Sequence, residues 1–145
     1  MKLRHRLRSL LGIGEPPHRV ASAFAVGIFF GMSPLLGLHT ALALLAAWIF
    51  RLNKFVAITG VYITNPWTIV PIYAFSTWVG TLLTGTGHLI PNVDWNHLTA
   101  SSLLKELRPL LWPFVLGTTI VGVISAALSY ILIRKAIEKT RRPSA

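Results

Sequence analysis

The sequence predicts an all-α integral membrane protein, built from broken or re-entrant half-helices at two proline-containing motifs plus one ordinary C-terminal transmembrane helix. Three observations lead there. Of 145 residues, 53% are hydrophobic and 12% charged, where a soluble domain carries roughly 25% charged residues; the mean hydropathy is +0.62. Residues 20–50 and 55–90 contain no Lys, Arg, Asp or Glu. Both stretches are interrupted by proline motifs, at Ser33-Pro34 and at Asn65-Pro66.

Fourteen Lys and Arg stand against four Asp and Glu, a net charge of +10. Such a balance often marks a nucleic-acid binder, but the positions argue otherwise. Lys2, Arg4, Arg6, Arg8 and Arg19 precede the first apolar run, and Arg134, Lys135, Lys139, Arg141 and Arg142 follow the last. Basic clusters flanking apolar runs are the pattern of a cytoplasmic membrane face. The expected partners are therefore membrane lipids and no nucleic acid. The expected place is the bacterial inner membrane, multi-pass, with both termini cytoplasmic. Without cysteine there is no disulfide, thiolate nucleophile or Cys metal site.

Residues 1–19 form a basic cytoplasmic segment. Leu3, Leu7, Leu10 and Leu11 fall at helical spacing among the arginines, either as a short helix on anionic lipid or as a topogenic tail. Gly14, Pro16 and Pro17 end any such helix. A cleaved signal peptide also places basic before apolar sequence, but this apolar run is longer and more membrane-like sequence follows.

Residues 20–133 form a single membrane domain. One straight helix over 20–50 would be about 46 Å long, against a hydrocarbon core ~30 Å thick. The break at Gly31-Met32-Ser33-Pro34-Leu35-Leu36-Gly37 therefore predicts two half-helices, near 20–32 and 35–50, forming a re-entrant hairpin. Arg51-Leu52-Asn53-Lys54 is a polar hinge. Residues 55–90 read as a broken transmembrane segment, interrupted at Thr64-Asn65-Pro66, touched at Pro71 and frayed around Gly80, Gly85 and Gly87. Residues 91–109 form a polar extracytoplasmic segment with Trp95 as an interfacial anchor and Leu98, Leu103, Leu104 and Leu107 toward a membrane surface. Residues 110–133 form the ordinary transmembrane helix, and 134–145 a basic cytoplasmic tail. Two full crossings place both termini inside; a second hairpin at 55–90 with one more crossing is the competing arrangement.

Non-helical backbone at membrane depth is tolerated only where protein or a water-filled cavity satisfies it, and such breaks are where transporters bind substrates. Ser33-Pro34 and Asn65-Pro66 each join a preferred N-cap residue to a proline suited to the first helical position. Each is expected to start a half-helix whose free N–H groups and positive dipole end suit a phosphate. Ser33, Pro34, His39, Thr40, Asn65, Pro66 and Thr68 are the candidate ligand-binding residues, with Thr64 nearby. The alternative is that the kinks only let helices pack, with Asn65 and the threonines capping backbone. His39 is either a proton-accepting or relaying group or a neutral helix contact. No Asp or Glu occurs from Pro16 to Val93, so carboxylate-coupled transport has no group there. His18, His88 and His97 show no metal spacing. No hydrolase triad, phosphate loop or carboxylate pair can be assembled, so neither an enzyme nor a cofactor is expected.

Small residues recur at every fourth place at Ala23, Gly27 and Gly31 and at Thr118, Gly122 and Ala126, a pattern that permits close helix contact within the chain or in a homo-oligomer. Trp48, Trp67, Trp78, Trp95 and Trp112 read as interfacial belt or packing residues. Gly27 to Pro34 is similar in outline to Gly60 to Pro66, the trace of a duplicated half-helix, break and half-helix.

At these residues the chain resembles a bacterial family known as domain of unknown function two thousand and sixty-two. The first signature is Ala25-Val26-Gly27-Ile28-Phe29-Phe30-Gly31-Met32-Ser33-Pro34-Leu35-Leu36-Gly37-Leu38-His39-Thr40. The second comprises Arg51-Leu52-Asn53-Lys54, Thr64-Asn65-Pro66-Trp67-Thr68 and Pro71-Ile72-Tyr73. The resemblance spans about residues 5–135. It implies a small inner-membrane protein, and motif positions at Gly27, Gly31, Pro34, Gly37, Thr40, Asn53, Asn65, Pro66 and Thr68. Members joined to glycosyltransferases that make lipid-linked sugars would fit a lipid-phosphate ligand. Two functions follow as expectations: binding or translocating an anionic lipid or phosphate-bearing solute, or serving as a non-catalytic membrane anchor or assembly factor for a cytoplasmic partner enzyme.

Overall fold

The structure is a computed structural model and describes residues 14–35, 37–86 and 99–141. The expected surface helix and arginines of residues 1–13, Leu36, residues 87–98 with Trp95, and residues 142–145 lie outside the described residues. Among the described residues the chain is all-helical, with five helices and no strand.

Helix α1, Pro17–Gly31, opens with proline at its first turn, where the missing N–H would be unpaired anyway. Helix α2 is His39–Ile49 and α3 is Lys54–Val61. Asn53 starts α3 by accepting from the N–H groups of Phe55 at 3.0 Å and Val56 at 3.3 Å. Helix α4, Pro66–Thr84, is capped by Asn65 and passes through Pro71 without interruption. It ends at Gly85, whose φ of +70° is a left-handed conformation that costs glycine little. Gly80 lies inside α4 rather than at a frayed end. Helix α5, Ala100–Arg141, is 42 residues long, about 63 Å. The expected polar segment of residues 91–109 is therefore helical from Ala100 onward, and the basic tail continues as helix to Arg141. From Leu107 to Arg141, α5 is long and apolar enough to cross a membrane; α3 and α4 pass only when taken together, bent by 72° between them.

Helices α1 and α3 run side by side in the same direction. Gly27 faces Ala57 and Gly60, and Gly31 faces Val61 and Thr64. The similarity between Gly27–Pro34 and Gly60–Pro66 thus becomes a physical pairing, with the two glycines in mutual contact. Helix α5 is antiparallel to both α4 and α1. Its first half meets α4, with Gly117 on Ser76 and Pro113 on Gly80; further on, Gly122 meets Phe29 and Met32 of α1. Among the described helices, α2 packs on α1 and α3 only.

The interior is made of small residues. Ala21, Ala23, Ala43, Ala47 and Ala57 are fully buried, and the largest fully buried side chains are Val61, Thr118, Pro113 and Ser76. Large apolar side chains point outward: Trp67 is 89% exposed, Val70 68% and Leu132 67%. Trp48, Trp78 and Trp112 are exposed too, so none of these tryptophans is a core residue. Small residues on the inside let the helix backbones approach closely.

One end of the molecule is a polar knot. Arg19 donates from its guanidinium to the Arg51 carbonyl at 2.9 Å, Asn53 donates to the Glu15 carboxylate at 3.0 Å, and Arg141 donates to the Glu15 carbonyl at 2.6 Å. The start of α1, the α2–α3 turn and the end of α5 therefore share one end. Beneath it Val20, Ala23 and Val56 pack with Phe24, Leu52, Ile133 and Ile137.

Candidate functional site

The two breaks meet. Gly31, where α1 ends, lies against Val61 and Thr64, where α3 ends. The Tyr73 hydroxyl, on α4, donates to the Ser33 carbonyl at 2.8 Å and its ring stacks edge-on to Phe114 of α5 at 5.0 Å. Residues 40 positions apart thus hold the first break against the helix that follows the second.

The first break is not built as expected. Ser33-Pro34 does not start α2, which begins five residues after Pro34, at His39, with Leu38 as its uncapped preceding residue. An N-cap carbonyl takes the first intrahelical hydrogen bond. The Ser33 carbonyl takes Tyr73 instead, and the Gly37 N–H that would have reached it donates to His39 Nδ1 at 3.2 Å. Gly37 also has φ +89°, which no helix contains. The Ser33 N–H closes a last turn of α1 onto Phe30. Its hydroxyl oxygen is buried without a hydrogen-bond partner, as is that of Ser76 at the α4–α5 contact. His39 is half-buried, and its Nδ1 is held by the Gly37 N–H.

The second break is built as the sequence predicts, but with its donors already used. Asn65 Oδ1 accepts from the N–H groups of Trp67 at 2.9 Å and Thr68 at 3.0 Å. Thr68 Oγ1 accepts from the Asn65 N–H at 2.9 Å and donates to the Ile63 carbonyl at 2.9 Å. Pro66 has no N–H, and Ile69 donates to the Asn65 carbonyl. This is a complete capping box, and it leaves the first turn of α4 no donor free for an anion. Thr64 donates to the Val61 carbonyl at 2.7 Å.

The predicted residues therefore fall into two groups. Ser33, Pro34, Asn65, Pro66 and Thr68 flank the meeting of the breaks. His39 and Thr40 sit on α2, which does not pack against α4, so they are not brought to Thr68. Gly27 and Gly31 serve the α1–α3 approach, Gly37 the turn, and Asn53 the cap of α3. Tyr73 was legible only as part of the second signature, not as a link to Ser33. Gly80 and Gly117 were also missed; Ser76 to Gly80 and Pro113 to Gly117 have the same four-residue spacing that identified Gly27 and Gly31. Replacing Tyr73 by Phe removes one half-buried hydrogen bond and is expected to cost about 1 kcal/mol, read as a lower thermal midpoint in detergent; an unchanged midpoint would show that the hydroxyl is not needed to hold the breaks together.

A family model described as an uncharacterized protein conserved in bacteria, DUF2062, matches residues 1–145, the whole chain. No curated protein and no solved structure matches.

Proposed function

The chain belongs to the bacterial DUF2062 family, and from that premise we propose that it is an integral inner-membrane protein that binds an anionic lipid or other phosphate-bearing solute where its two breaks meet. In this reading α1 and α2 form a re-entrant hairpin, the bent pair α3–α4 goes out, and α5 returns. Helices α1 and α2, 15 and 11 residues long, are about 22 and 16 Å, each short of a ~30 Å core. The polar knot joining the start of α1, the α2–α3 turn and the end of α5 supports an entry and an exit on one side. Arg19, Arg51, Lys54, Lys139 and Arg141 at that end fit the cytoplasmic face. The small-inside, large-outside distribution supports lipid as the surroundings.

The observation that carries the binding site is the Ser33 hydroxyl, buried at the junction with no partner. A buried donor left unmade costs about 1–3 kcal/mol, so it marks a place where a ligand oxygen is favoured once the Tyr73 contact opens. The α4 start contributes shape rather than donors. An oligomer would supply a transport path that two crossings cannot enclose. Ser33→Ala removes no bond within the chain, so the variant is expected to keep its thermal midpoint while retaining less phosphate-bearing lipid in native mass spectra. Equal lipid in both forms would eliminate the junction as the site.

A second reading, a non-catalytic membrane anchor or assembly factor, is favoured by one observation. Gly27, Gly31, Asn53, Asn65 and Thr68 are each occupied by close packing or capping. It predicts that charge reversal at Arg4, Arg6 and Arg8 abolishes complementation of a deletion strain while Ser33→Ala is silent.

A further inference from the structure

We propose a second binding site, distinct from the junction of the breaks: a groove at the α2–α3 turn that takes the phosphate headgroup of an anionic lipid from the leaflet on the polar-knot side. It rests on the membrane reading above but not on Ser33. An open groove of about 590 Å³ is lined there by Ala47, Trp48, Ile49, Arg51, Leu52 and Lys54. That volume lies within the ordinary range for small-ligand sites. Its two parts differ in chemistry. Trp48 and Ile49 are 64% and 59% exposed and offer an apolar wall to an acyl chain. Arg51 and Lys54 provide two cations at the rim.

Neither cation forms an ion pair within the described chain. The acids near this end are outnumbered: the Glu15 carboxylate, which accepts from Asn53 at 3.0 Å, stands against Arg19, Arg51 and Lys54, and Glu138 pairs with Arg134 at 2.9 Å. Neither the Arg51 guanidinium nor the Lys54 ammonium makes a hydrogen bond or ion pair among the described residues. The excess positive charge suits an anion from outside, and at a membrane face the abundant one is a lipid phosphate.

The backbone supplies an independent observation. Helix α2 ends in a Schellman motif: the Leu52 N–H reaches the Ala47 carbonyl at 2.8 Å and the Arg51 N–H the Trp48 carbonyl at 3.2 Å. The residue that must be left-handed in this motif is usually glycine. Here it is Arg51, at φ +52°, the one non-glycine residue with positive φ among those described. Its carbonyl is held by Arg19 at 2.9 Å. A strained residue where glycine would fit better points to a use for its side chain, and what this backbone geometry does is hold a guanidinium at the rim of the groove.

The strain makes the test decisive, because Arg51→Gly should not unfold the protein. Purified wild type, Arg51→Gly and Arg51→Gly/Lys54→Gln are titrated with phosphatidylglycerol and with phosphatidylcholine in detergent, and bound lipid is counted by native mass spectrometry, with thermal midpoints alongside. The expected result is an equal or higher midpoint for Arg51→Gly, with phosphatidylglycerol affinity falling about fivefold for the first charge and roughly thirtyfold for both, and phosphatidylcholine unchanged. Equal phosphatidylglycerol affinity in the folded double variant would overturn the groove, as would a loss shared equally by phosphatidylcholine. Wild type washed from membranes by carbonate would overturn the membrane reading instead, and so separates the two failures.

Discussion

Gly27→Val is expected to prevent the protein from accumulating in folded form. A Cβ at Gly27 would run into the backbone carbonyl of Ala57 and stand 2.9 Å from Gly60 Cα. Both are backbone atoms of a neighbouring helix, so no side chain can rotate away. The α1–α3 pair would have to separate, taking Gly31 off Val61 and Thr64 and loosening the place where the breaks meet. Overpacking in a close-packed interior costs about 1–3 kcal/mol, and a collision between two backbones belongs at or above the top of that range, against a total stability of about 5–15 kcal/mol. Gly122→Ala is the matched control. Its Cβ would lie 3.5 Å from the Phe29 ring, an ordinary contact, and its yield, gel-filtration profile and thermal midpoint in detergent should stay near wild type. A monodisperse Gly27→Val protein with an unchanged midpoint would show that α1 and α3 do not pack as described.

Asn65→Leu is expected to destabilise the protein by about 1–2 kcal/mol. The substitution removes the acceptor of the Trp67 and Thr68 N–H groups, while the Thr68 hydroxyl keeps the backbone N–H of residue 65 and the Ile63 carbonyl as partners. The loss is greater if the break lies at membrane depth, where water cannot replace the acceptor. Asn65→Ser, another good N-cap residue, should recover most of the thermal midpoint. Any lipid lost by Asn65→Leu is then read against the Ser variant: recovery of both together assigns Asn65 to capping. A Leu variant of unchanged stability that nevertheless lost lipid would show a direct ligand role for this side chain.

Asn65-Pro66 and Ser33-Pro34 look alike in sequence, and only one of them behaves as a helix start. The difference lies in what surrounds them. Asn65 finds its partner three residues away, in Thr68, so its local sequence suffices to define the cap. Ser33 lacks such a partner, and its carbonyl is claimed by Tyr73, 40 residues further along. No local pattern announces that bond. The same holds for Arg51. Its position after an apolar run marks a polar hinge, but its left-handed backbone follows from the Schellman ending of α2 and from the hold of Arg19 on its carbonyl. The composition of residues 91–109 marks a polar segment separate from the transmembrane helix after it, yet from Ala100 the two are one continuous helix; polar residues with good helix propensity continue a helix wherever no capping residue stops it.

The amino-acid sequence by itself determined that the chain is helical, where its breaks fall, that α5 is apolar enough to cross a membrane, and which family it belongs to. These follow from composition, period and short motifs, all of which act over a few residues. Only the tertiary structure decided that α1 and α3 lie parallel through Gly27 and Gly60, that α4 and α5 close on Gly80 and Gly117, that the polar knot unites Glu15, Arg19, Arg51, Asn53 and Arg141, and that two cations at the α2–α3 turn form no ion pair among the described residues. The reason is physical: each depends on backbones approaching across long stretches of chain, where removal of a single Cβ or one distant acceptor sets the geometry, and neither carries a periodic signal.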